Sequence, residues 1–244
     1  NAFKFAGEVD VLEALADVQR RYRIDEDRIS VRGFSMGGAA CWQFAVHYPD
    51  RWFAANPGAG FSETPEFLRF FQKETLTPTW YEKKLWHLYD CTDWARNLHH
   101  CPTVAYSGEL DIQKQAADIM QQALRQEQLS LVHIIGPQTK HAIHPGAKRQ
   151  IEARFDRLSR PGRQRTPQRV RFTTYTLKYN RLGWVQINAL GRHWSRASVD
   201  ARIGAAGSIV VRVENVTDLA LRFSPGEFPT EFAHRPPTVL FEDV

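Results

Sequence analysis

The fold of this chain is decided by one stretch of its sequence, RISVRGFSMGGAACWQFAV at residues 28–46. Residues 28–32 predict a short strand, and the small and apolar residues from 37 to 46 predict a tightly packed helix. Ser35 lies in the turn between them. Upstream, residues 7–22 carry apolar side chains at helical spacing. Helix, strand, turn and helix in this order predict an α/β fold with a parallel sheet and crossover helices.

Ser35 lies where a nucleophilic hydroxyl would be exposed. A hydroxyl is a weak nucleophile and needs a neighbouring base to take its proton. A strained strand-to-helix turn would expose it, and we expect Gly33 and Gly37 beside it because that turn leaves no room for a Cβ. The backbone N–H of Met36 would then face a developing oxyanion. Since the Gly-x-Ser-x-Gly pattern arises by chance in about one chain in ten of this length, its placement between strand and helix is the stronger evidence.

Two later strands end beside residues that could activate Ser35. A strand predicted at 102–107 leads to Asp111, and one at 131–135 leads to His141. A serine, an acid and a histidine in this chain order, at the carboxyl ends of strands, have the arrangement that hydrolysis on an α/β sheet requires. We therefore predict Ser35, Asp111 and His141 as the catalytic residues.

Each of the two partners has a rival nearby. Glu109 is the alternative acid, and Asp111 is preferred because it lies deeper in the loop. His144 is the alternative base, and His141 is preferred because the proline after His144 indicates that the next helix begins there. His133 falls within a predicted strand and is expected to be structural. The other histidines have no partner in the pattern and are expected at the surface or as satisfied core residues: His47, His87, His99, His100, His193 and His234.

The segments GFSMGG at 33–38 and YSGELD at 106–111, with His141 downstream, resemble the prolyl oligopeptidase-like and esterase branch of the α/β hydrolases. The resemblance covers about residues 1–158. It implies that Ser35 is acylated, that His141 acts as base and then as acid, and that Asp111 orients the imidazole. Met36 would give one oxyanion-hole amide, and no metal or organic cofactor is implied. The substrate would be a small ester or peptide, carbohydrate-linked esters included, and peptidase and feruloyl- or acetyl-type esterase both stay open.

The chain departs from that family pattern before the serine turn. Members of the family usually have several strands and a second oxyanion donor there, whereas only 32 residues precede Gly33. We therefore expect an N-terminally truncated hydrolase with an open sheet edge. Because a lost oxyanion donor costs about 10²–10³ in rate, we expect weak or no turnover. The alternative function is a non-catalytic binding or interaction module that retains the hydrolase fold.

The pattern of the sequence changes after a basic segment at 159–169. We predict an α/β catalytic domain at 1–158, a basic linker at 159–169 and a small all-β domain at 170–244. In the last of these, short β-type runs alternate with turn residues. Trp184 and Trp194 there would suit stacking on sugar, although core packing is the preferred interpretation. Within the first domain, the aromatic-rich residues 61–98 are predicted to be helical, forming either a lid or a layer that buries its own rings.

The net charge of +5 comes largely from one place. Seven arginines and one acidic residue lie between Arg154 and Arg171, which favours a solvated basic connector over a nucleic-acid site. Nucleic-acid binding through Arg163, Arg165 and Arg169 is kept as a third alternative. No stretch approaches the roughly 20 apolar residues of a membrane span, so we expect no membrane partner.

Three cysteines are too few for a disulfide-built scaffold. Cys41, on the helix after Ser35, is expected to be buried, whereas Cys91 and Cys101 are near enough in sequence to pair. No cysteine and histidine have zinc-ligand spacing, so no metal site is expected. The oligomeric state stays open. For the compartment, export or a periplasmic location is favoured over the cytoplasm.

Overall fold

A computed structural model of the chain describes residues 3–204, 208–227 and 237–242. Its first part alternates helices and strands: α1 (Ala6–Arg21), β1 (Ser30–Phe34), α2 (Met36–His47), β2 (Ala54–Gly58), α3 (Trp80–Trp86), β3 (Val104–Gly108), α4 (Lys114–Gln126), β4 (Val132–Gly136) and α5 (Pro145–Ser159). Three 3₁₀ segments, Glu26–Arg28, Pro49–Arg51 and Cys91–His100, and a π-helical turn, Phe67–Gln72, lie between these elements. In the described part of the chain, no helix has both the length and the apolar character needed to cross a bilayer.

The four strands of this part form one parallel sheet in the order β1-β2-β3-β4. One face of the sheet is covered by α2, α4 and the 3₁₀ segment at 91–100, and the other by α5. The carboxyl ends of all four strands therefore meet at one edge. This arrangement confirms the predicted parallel α/β sheet.

Small residues let α2 lie close to the sheet. A Cβ on Gly38 would come within 2.2 Å of the Gly58 carbonyl oxygen, so the first turn of α2 touches the backbone of β2 directly. Cys41 is buried as predicted, and its thiol donates to the Val31 carbonyl at 3.3 Å. The thiols of Cys91 and Cys101 are also buried, and all three cysteines are free.

The second part is all-β, as predicted. It contains β5 (Arg169–Thr174), β6 (Arg181–Leu182), β7 (Val185–Leu190), β8 (Ala197–Ile203), β9 (Ser208–Glu214), β10 (Val216–Leu221) and β11 (Thr238–Phe241). They form a three-stranded sheet, β10-β7-β6, and a four-stranded sheet, β11-β9-β8-β5. Trp184 is buried in the core of this part, and its indole N–H donates to the Pro167 carbonyl at 2.8 Å, which confirms core packing for that residue.

One hydrophobic core contains residues of both parts. Tyr175 and Tyr179 follow β5 in sequence, yet both pack in the cluster formed by α2, α4 and the 91–100 segment. The ring of Tyr179 stacks on that of His47 at 3.9 Å between centroids. The division of the chain into separate domains remains a prediction.

The basic segment is held against the rest of the protein. Arg163 donates to the Asp50 carbonyl at 2.9 Å, Arg165 binds the Asp27 carboxylate at 2.9 Å, and Arg169 binds that of Asp200 at 2.7 Å. The side chains of Arg165 and Arg169 remain about half exposed, so the segment is solvated, as its composition predicts, and is also bound to the residues beside it.

Two further expectations concern side chains away from the serine turn. The aromatic segment 61–98 is helical in short pieces, and Phe61, Phe67 and Phe71 pack on one another as an aromatic layer. His47 is buried, but neither of its ring nitrogens has a hydrogen-bond partner. The expectation of a surface or satisfied core histidine is therefore wrong for His47. His234 lies outside the described residues.

Candidate active site

Ser35 occupies a strained turn between β1 and α2. Its backbone has φ 58° and ψ −120°, a left-handed region that a non-glycine residue adopts only at a cost of roughly 1–3 kcal/mol. Two hydrogen bonds hold this conformation: the Ser35 N–H donates to the Gly58 carbonyl at 2.8 Å, and the Ser35 carbonyl accepts from the Ala39 N–H at 3.1 Å. The turn therefore presents the serine side chain at the carboxyl edge of the sheet.

The two glycines beside Ser35 differ in how crowded they are. A Cβ on Gly33 would lie 2.0 Å from the Gly37 carbonyl oxygen, so no side chain fits there. A Cβ on Gly37 would meet nothing within 4 Å. The steric reason expected from the sequence therefore holds for Gly33 and is wrong for Gly37. Gly38, Gly60 and Gly108 also have backbone atoms within about 2.2 Å of an added Cβ.

The structure brings together the three side chains predicted from the sequence. Asp111 lies in the loop after β3 and His141 lies in the loop after β4, and the parallel direction of the strands places both loops at the same edge of the sheet as Ser35. The Asp111 Oδ2 is 2.8 Å from the His141 Nδ1, and the His141 Nε2 is 2.9 Å from the Ser35 Oγ. Asp111 is buried and also accepts from the Gln113 N–H at 2.9 Å.

The chemistry of the three groups determines the direction of these hydrogen bonds. An ionised carboxylate only accepts, so the proton between Asp111 and His141 belongs to Nδ1. The Nε2 of the neutral ring is then free to accept the Ser35 hydroxyl proton. The Phe34 ring packs against the imidazole at 4.8 Å between centroids and covers one side of it. This arrangement can take a proton from the Ser35 hydroxyl.

The rivals of Asp111 and His141 have other contacts. Glu109 accepts from the backbone N–H of Gln138 at 2.7 Å, which links the loop after β3 to the loop after β4. His144 caps α5 through its Nδ1, which accepts from the N–H groups of the first turn, in agreement with the sequence expectation. Neither is in the hydrogen-bonded chain that ends at Ser35.

A second serine–histidine pair lies nearby but is enclosed. The Nε2 of His133 is 3.0 Å from the Ser107 Oγ, and its Nδ1 is 3.7 Å from the Asp118 carboxylate. Burial lowers the pKa of His133. Because Ser107 has no exposed surface, no carbonyl substrate can reach its hydroxyl. His133 is thus in the structural position expected for it.

Exposed apolar residues lie next to the three site residues in the sequence. Met36 follows Ser35, and its backbone N–H lies in the first turn of α2, where amide groups have no partner within the helix. The side chains of Met36, Leu110, Ile112 and Ile143 are all exposed. The first flanks Ser35, the next two flank Asp111, and the last lies two residues after His141.

Sequence reasoning missed one contributor to this site. Tyr106 is buried in β3, and its hydroxyl is bonded on both sides to the backbone of the loop that carries His141. A tyrosine inside a predicted strand indicates a hydrogen bond to another part of the chain, because a buried phenol needs a partner for its hydroxyl. The sequence could not show which backbone groups that partner would be.

The comparison with known protein families places this site in a family context. The sequence profile of the prolyl oligopeptidase family matches residues 6–157, more than half of the chain. The chain belongs to the prolyl oligopeptidase family. This family consists of serine peptidases and related hydrolases. A search of curated protein sequences gave no significant match.

Solved structures show the same fold as this prolyl oligopeptidase family member. A Bacteroides ovatus protein classed provisionally as a dipeptidyl aminopeptidase IV superposes with a TM-score of 0.52 at 14% identity, covering 63% of this chain and 22% of that protein. An acylaminoacyl peptidase from Pyrococcus horikoshii superposes with a TM-score of 0.52 at 16% identity, covering 64% of this chain and 27% of the peptidase. Both confirm the α/β-hydrolase fold, and the chain spans about a quarter of the length of either protein.

Proposed function

We propose that the chain cleaves an ester or peptide bond through an acyl-enzyme formed on Ser35. The observation that carries the proposal is the continuous chain of hydrogen bonds from Asp111 to His141 to Ser35, at 2.8 and 2.9 Å. Membership of the prolyl oligopeptidase family supports the same reaction class. Peptidase and feruloyl- or acetyl-type esterase both remain compatible with this site.

The proposed reaction proceeds in two halves. The Ser35 Oγ attacks the substrate carbonyl carbon while its proton passes to the His141 Nε2, which forms a tetrahedral intermediate. As that intermediate collapses, the bond to the leaving amine or alcohol breaks, and the leaving group takes the proton from Nε2. A water molecule then attacks the carbonyl carbon of the acyl-enzyme while its proton passes to the His141 Nε2. The bond to the Ser35 Oγ breaks, Oγ takes that proton back, and the acid product leaves. Asp111 keeps the ring oriented and stabilises its positive charge in both halves.

The oxyanion of the intermediate needs hydrogen-bond donors. In the proposal the Met36 N–H supplies one of them, since the first amides of α2 and the dipole of that helix favour negative charge. With Met36 as its single assigned donor, we expect slow turnover, because one missing donor costs about 10²–10³ in rate.

The exposed side chains around the site favour an uncharged substrate group. Exposed apolar side chains lie close in sequence to each of the three residues: Met36 follows Ser35, Leu110 and Ile112 flank Asp111, and Ile143 lies two residues after His141. An apolar acyl or leaving group would bury part of that surface on binding, at about 25 cal/mol per Å². This consideration applies equally to a hydrophobic peptide and to an aryl ester.

A fluorophosphonate probe tests the proposal independently of turnover. It requires only an activated serine, which displaces fluoride from phosphorus and stays covalently bound. We expect the wild-type chain to be labelled at Ser35, and Ser35→Ala to abolish labelling. His141→Ala and Asp111→Asn should slow labelling by about 10³–10⁴-fold. Hydrolysis of p-nitrophenyl acetate by the same samples should be slow and should disappear in Ser35→Ala.

The second serine–histidine pair provides a matched control. Ser107→Ala removes a hydroxyl that also lies 3.0 Å from a histidine nitrogen, but in an enclosed position. Labelling should be unchanged in this variant. An unlabelled wild-type chain would favour a binding module that keeps the hydrolase fold, and labelling that persists in Ser35→Ala would identify another nucleophile.

A further inference from the structure

The loop that carries His141 lies outside any helix or strand. Residues 137–144, here called the histidine loop, connect the end of β4 to the start of α5. The His141 side chain is 40% exposed, so surrounding residues do not enclose it. Its distance to the Ser35 Oγ therefore depends on how firmly the backbone of this loop is held.

One end of the histidine loop is held by a buried phenol. The Tyr106 hydroxyl donates to the Ala142 carbonyl at 2.7 Å and accepts from the His144 N–H at 2.8 Å. Both backbone groups lie within three residues of His141. Tyr106 is only 1% exposed and lies in β3, between two neighbouring strands. Its donor and one acceptor site are thus both used on the loop, from a rigid position.

The other end of the loop is held by the segment that carries the acid. The Glu109 carboxylate accepts from the Gln138 N–H at 2.7 Å, and the Leu110 N–H donates to the Thr139 carbonyl at 2.9 Å. Gln138 has a positive φ of 49°, a conformation that needs such support. Tyr106 lies within β3, and Glu109 and Asp111 lie in the loop directly after it. The acid and both attachments of the histidine loop therefore belong to β3 and the loop that follows it.

We propose that Tyr106 and Glu109 are positioning residues that hold His141 at hydrogen-bond distance from Ser35. The inference rests on the proposed function, because it gives these two residues a role in activating that serine. Neither touches the reacting atoms. Tyr106 acts through the backbone on the carboxyl side of His141, and Glu109 acts through the backbone on its amino side. A displacement of about 1 Å at a reacting group can lower a rate by about 100-fold.

The two attachments can be removed one at a time. Tyr106→Phe removes only the hydroxyl, and Glu109→Ala removes an exposed carboxylate whose loss leaves the core intact. The measured quantities are the limiting rate of fluorophosphonate labelling at saturating probe and the probe concentration at half that rate. We expect the limiting rate to fall about 10- to 100-fold in Tyr106→Phe and less in Glu109→Ala. The half-saturating concentration should not change, and Glu109→Gln should restore part of the rate because its amide oxygen still accepts from Gln138.

Tyr179→Phe is the matched control. Tyr179 is a buried tyrosine whose hydroxyl bonds to Glu8, in a cluster at the far end of α2 from Ser35. This variant loses one buried phenolic hydrogen bond, whereas Tyr106→Phe loses two, and its melting temperature should also fall. Its labelling rate should stay at the wild-type value.

The possible failures are distinguishable. A wild-type chain that is not labelled at Ser35 contradicts the proposed function itself. A labelled wild-type chain together with folded Tyr106→Phe and Glu109→Ala proteins that label at the wild-type rate contradicts the positioning role alone. If Tyr106→Phe does not fold, Glu109→Ala decides the question. An equal loss of rate in Tyr179→Phe would mean that the loss reflects general loosening, which also overturns the positioning role.

Discussion

At the scale of the residue, His47 is an ionisable side chain buried among aromatic rings without a hydrogen-bond partner. It ends α2 with 4% of its surface exposed, stacked on Tyr179 and edge-on to Trp94, and neither ring nitrogen has a partner. Burial, helped by the charges of Lys178 and Lys4, lowers the pKa of His47 well below its usual value. The folded protein therefore keeps this ring neutral where the unfolded chain would protonate it.

This neutral histidine should make stability depend on pH. An unfolded histidine takes up its proton near pH 6.5. The stability that goes with a neutral His47 is therefore complete above about pH 6.5 and is lost as the pH falls from there towards the lowered pKa of the folded protein. We expect His47→Phe to flatten the pH dependence of the free energy of unfolding below about pH 6.5. Denaturant unfolding at several pH values measures this difference.

The stability of His47→Phe at neutral pH provides a second test. Removing two buried nitrogens that lack hydrogen bonds should leave stability unchanged or raise it by about 1 kcal/mol. His193→Gln, at an exposed histidine of the second part, should alter neither stability nor its pH dependence. Parallel pH curves for wild type and His47→Phe would show that the buried ring titrates normally.

Also at this scale, the candidate site separates what the sequence can predict from what it cannot. Ser35, Asp111 and His141 were predictable because each follows a strand, and parallel strands bring their carboxyl ends to one edge. The contact from Tyr106 was not, because its hydroxyl bonds to backbone atoms 36 and 38 residues away. Backbone groups carry no signature in the sequence.

At the scale of the element, the junction of β1 and α2 depends on one glycine more than on the other. Gly33→Ala would place a Cβ 2.0 Å from a backbone oxygen, and no change of rotamer can relieve that clash. We expect a loss of about 3 kcal/mol or more in stability. We also expect Ser35 labelling to fall at least about 100-fold, because the strand and helix must separate and Ser35 moves with them. Thermal unfolding and probe labelling measure the two effects.

Gly37→Ala is the control at the same junction. Its Cβ would meet nothing within 4 Å, and alanine is favoured over glycine in a helix by up to about 1 kcal/mol. Labelling should therefore stay near the wild-type rate, and stability should hold or rise. Equal damage from both substitutions would contradict the steric argument, since only one of them creates a clash.

The strands of the second part show where an element escapes prediction from sequence. β8 has a weak signal in the sequence because its buried positions, Ala197, Val199 and Ala201, are small, and polar residues lie between them. Such a strand has little hydrophobic signal of its own. Its place is fixed by pairing with β5 and β9 on either side and by the ion pair of Asp200 with Arg169. These are long-range contacts that a single sequence does not display.

At the scale of the whole molecule, the two parts of the chain are joined by more than the basic segment. The buried Asn97 side chain donates to the Val46 carbonyl at 2.9 Å and the Thr173 carbonyl at 3.0 Å, and accepts from the Thr173 N–H at 2.8 Å. One amide thus links α2, the 91–100 segment and β5. Together with Tyr175 and Tyr179, it makes the first part dependent on the second for a complete core.

We therefore expect residues 1–159 to fail to fold when expressed alone. Removing Tyr175 and Tyr179 would empty two aromatic positions of the core, at roughly 3–5 kcal/mol each. It would also leave the buried amide of Asn97 without its partners on Thr173, at about 1–3 kcal/mol. The sum is comparable with the whole stability of a typical domain, about 5–15 kcal/mol. Circular dichroism during heating should show no cooperative transition for this piece, and Ser35 should not be labelled.

Co-expression of 1–159 with 160–244 shows whether 1–159 fails to fold because core residues are missing or because the chain has been cut after residue 159. If the shared core is the cause, the two pieces should associate, and both the unfolding transition and Ser35 labelling should return. A piece 1–159 that unfolds cooperatively and labels as fast as the full chain would instead establish an independent catalytic domain. In that case the contacts of Asn97, Tyr175 and Tyr179 would attach a second domain to a first that is already complete, and the predicted boundary at 159–169 would be a true domain boundary.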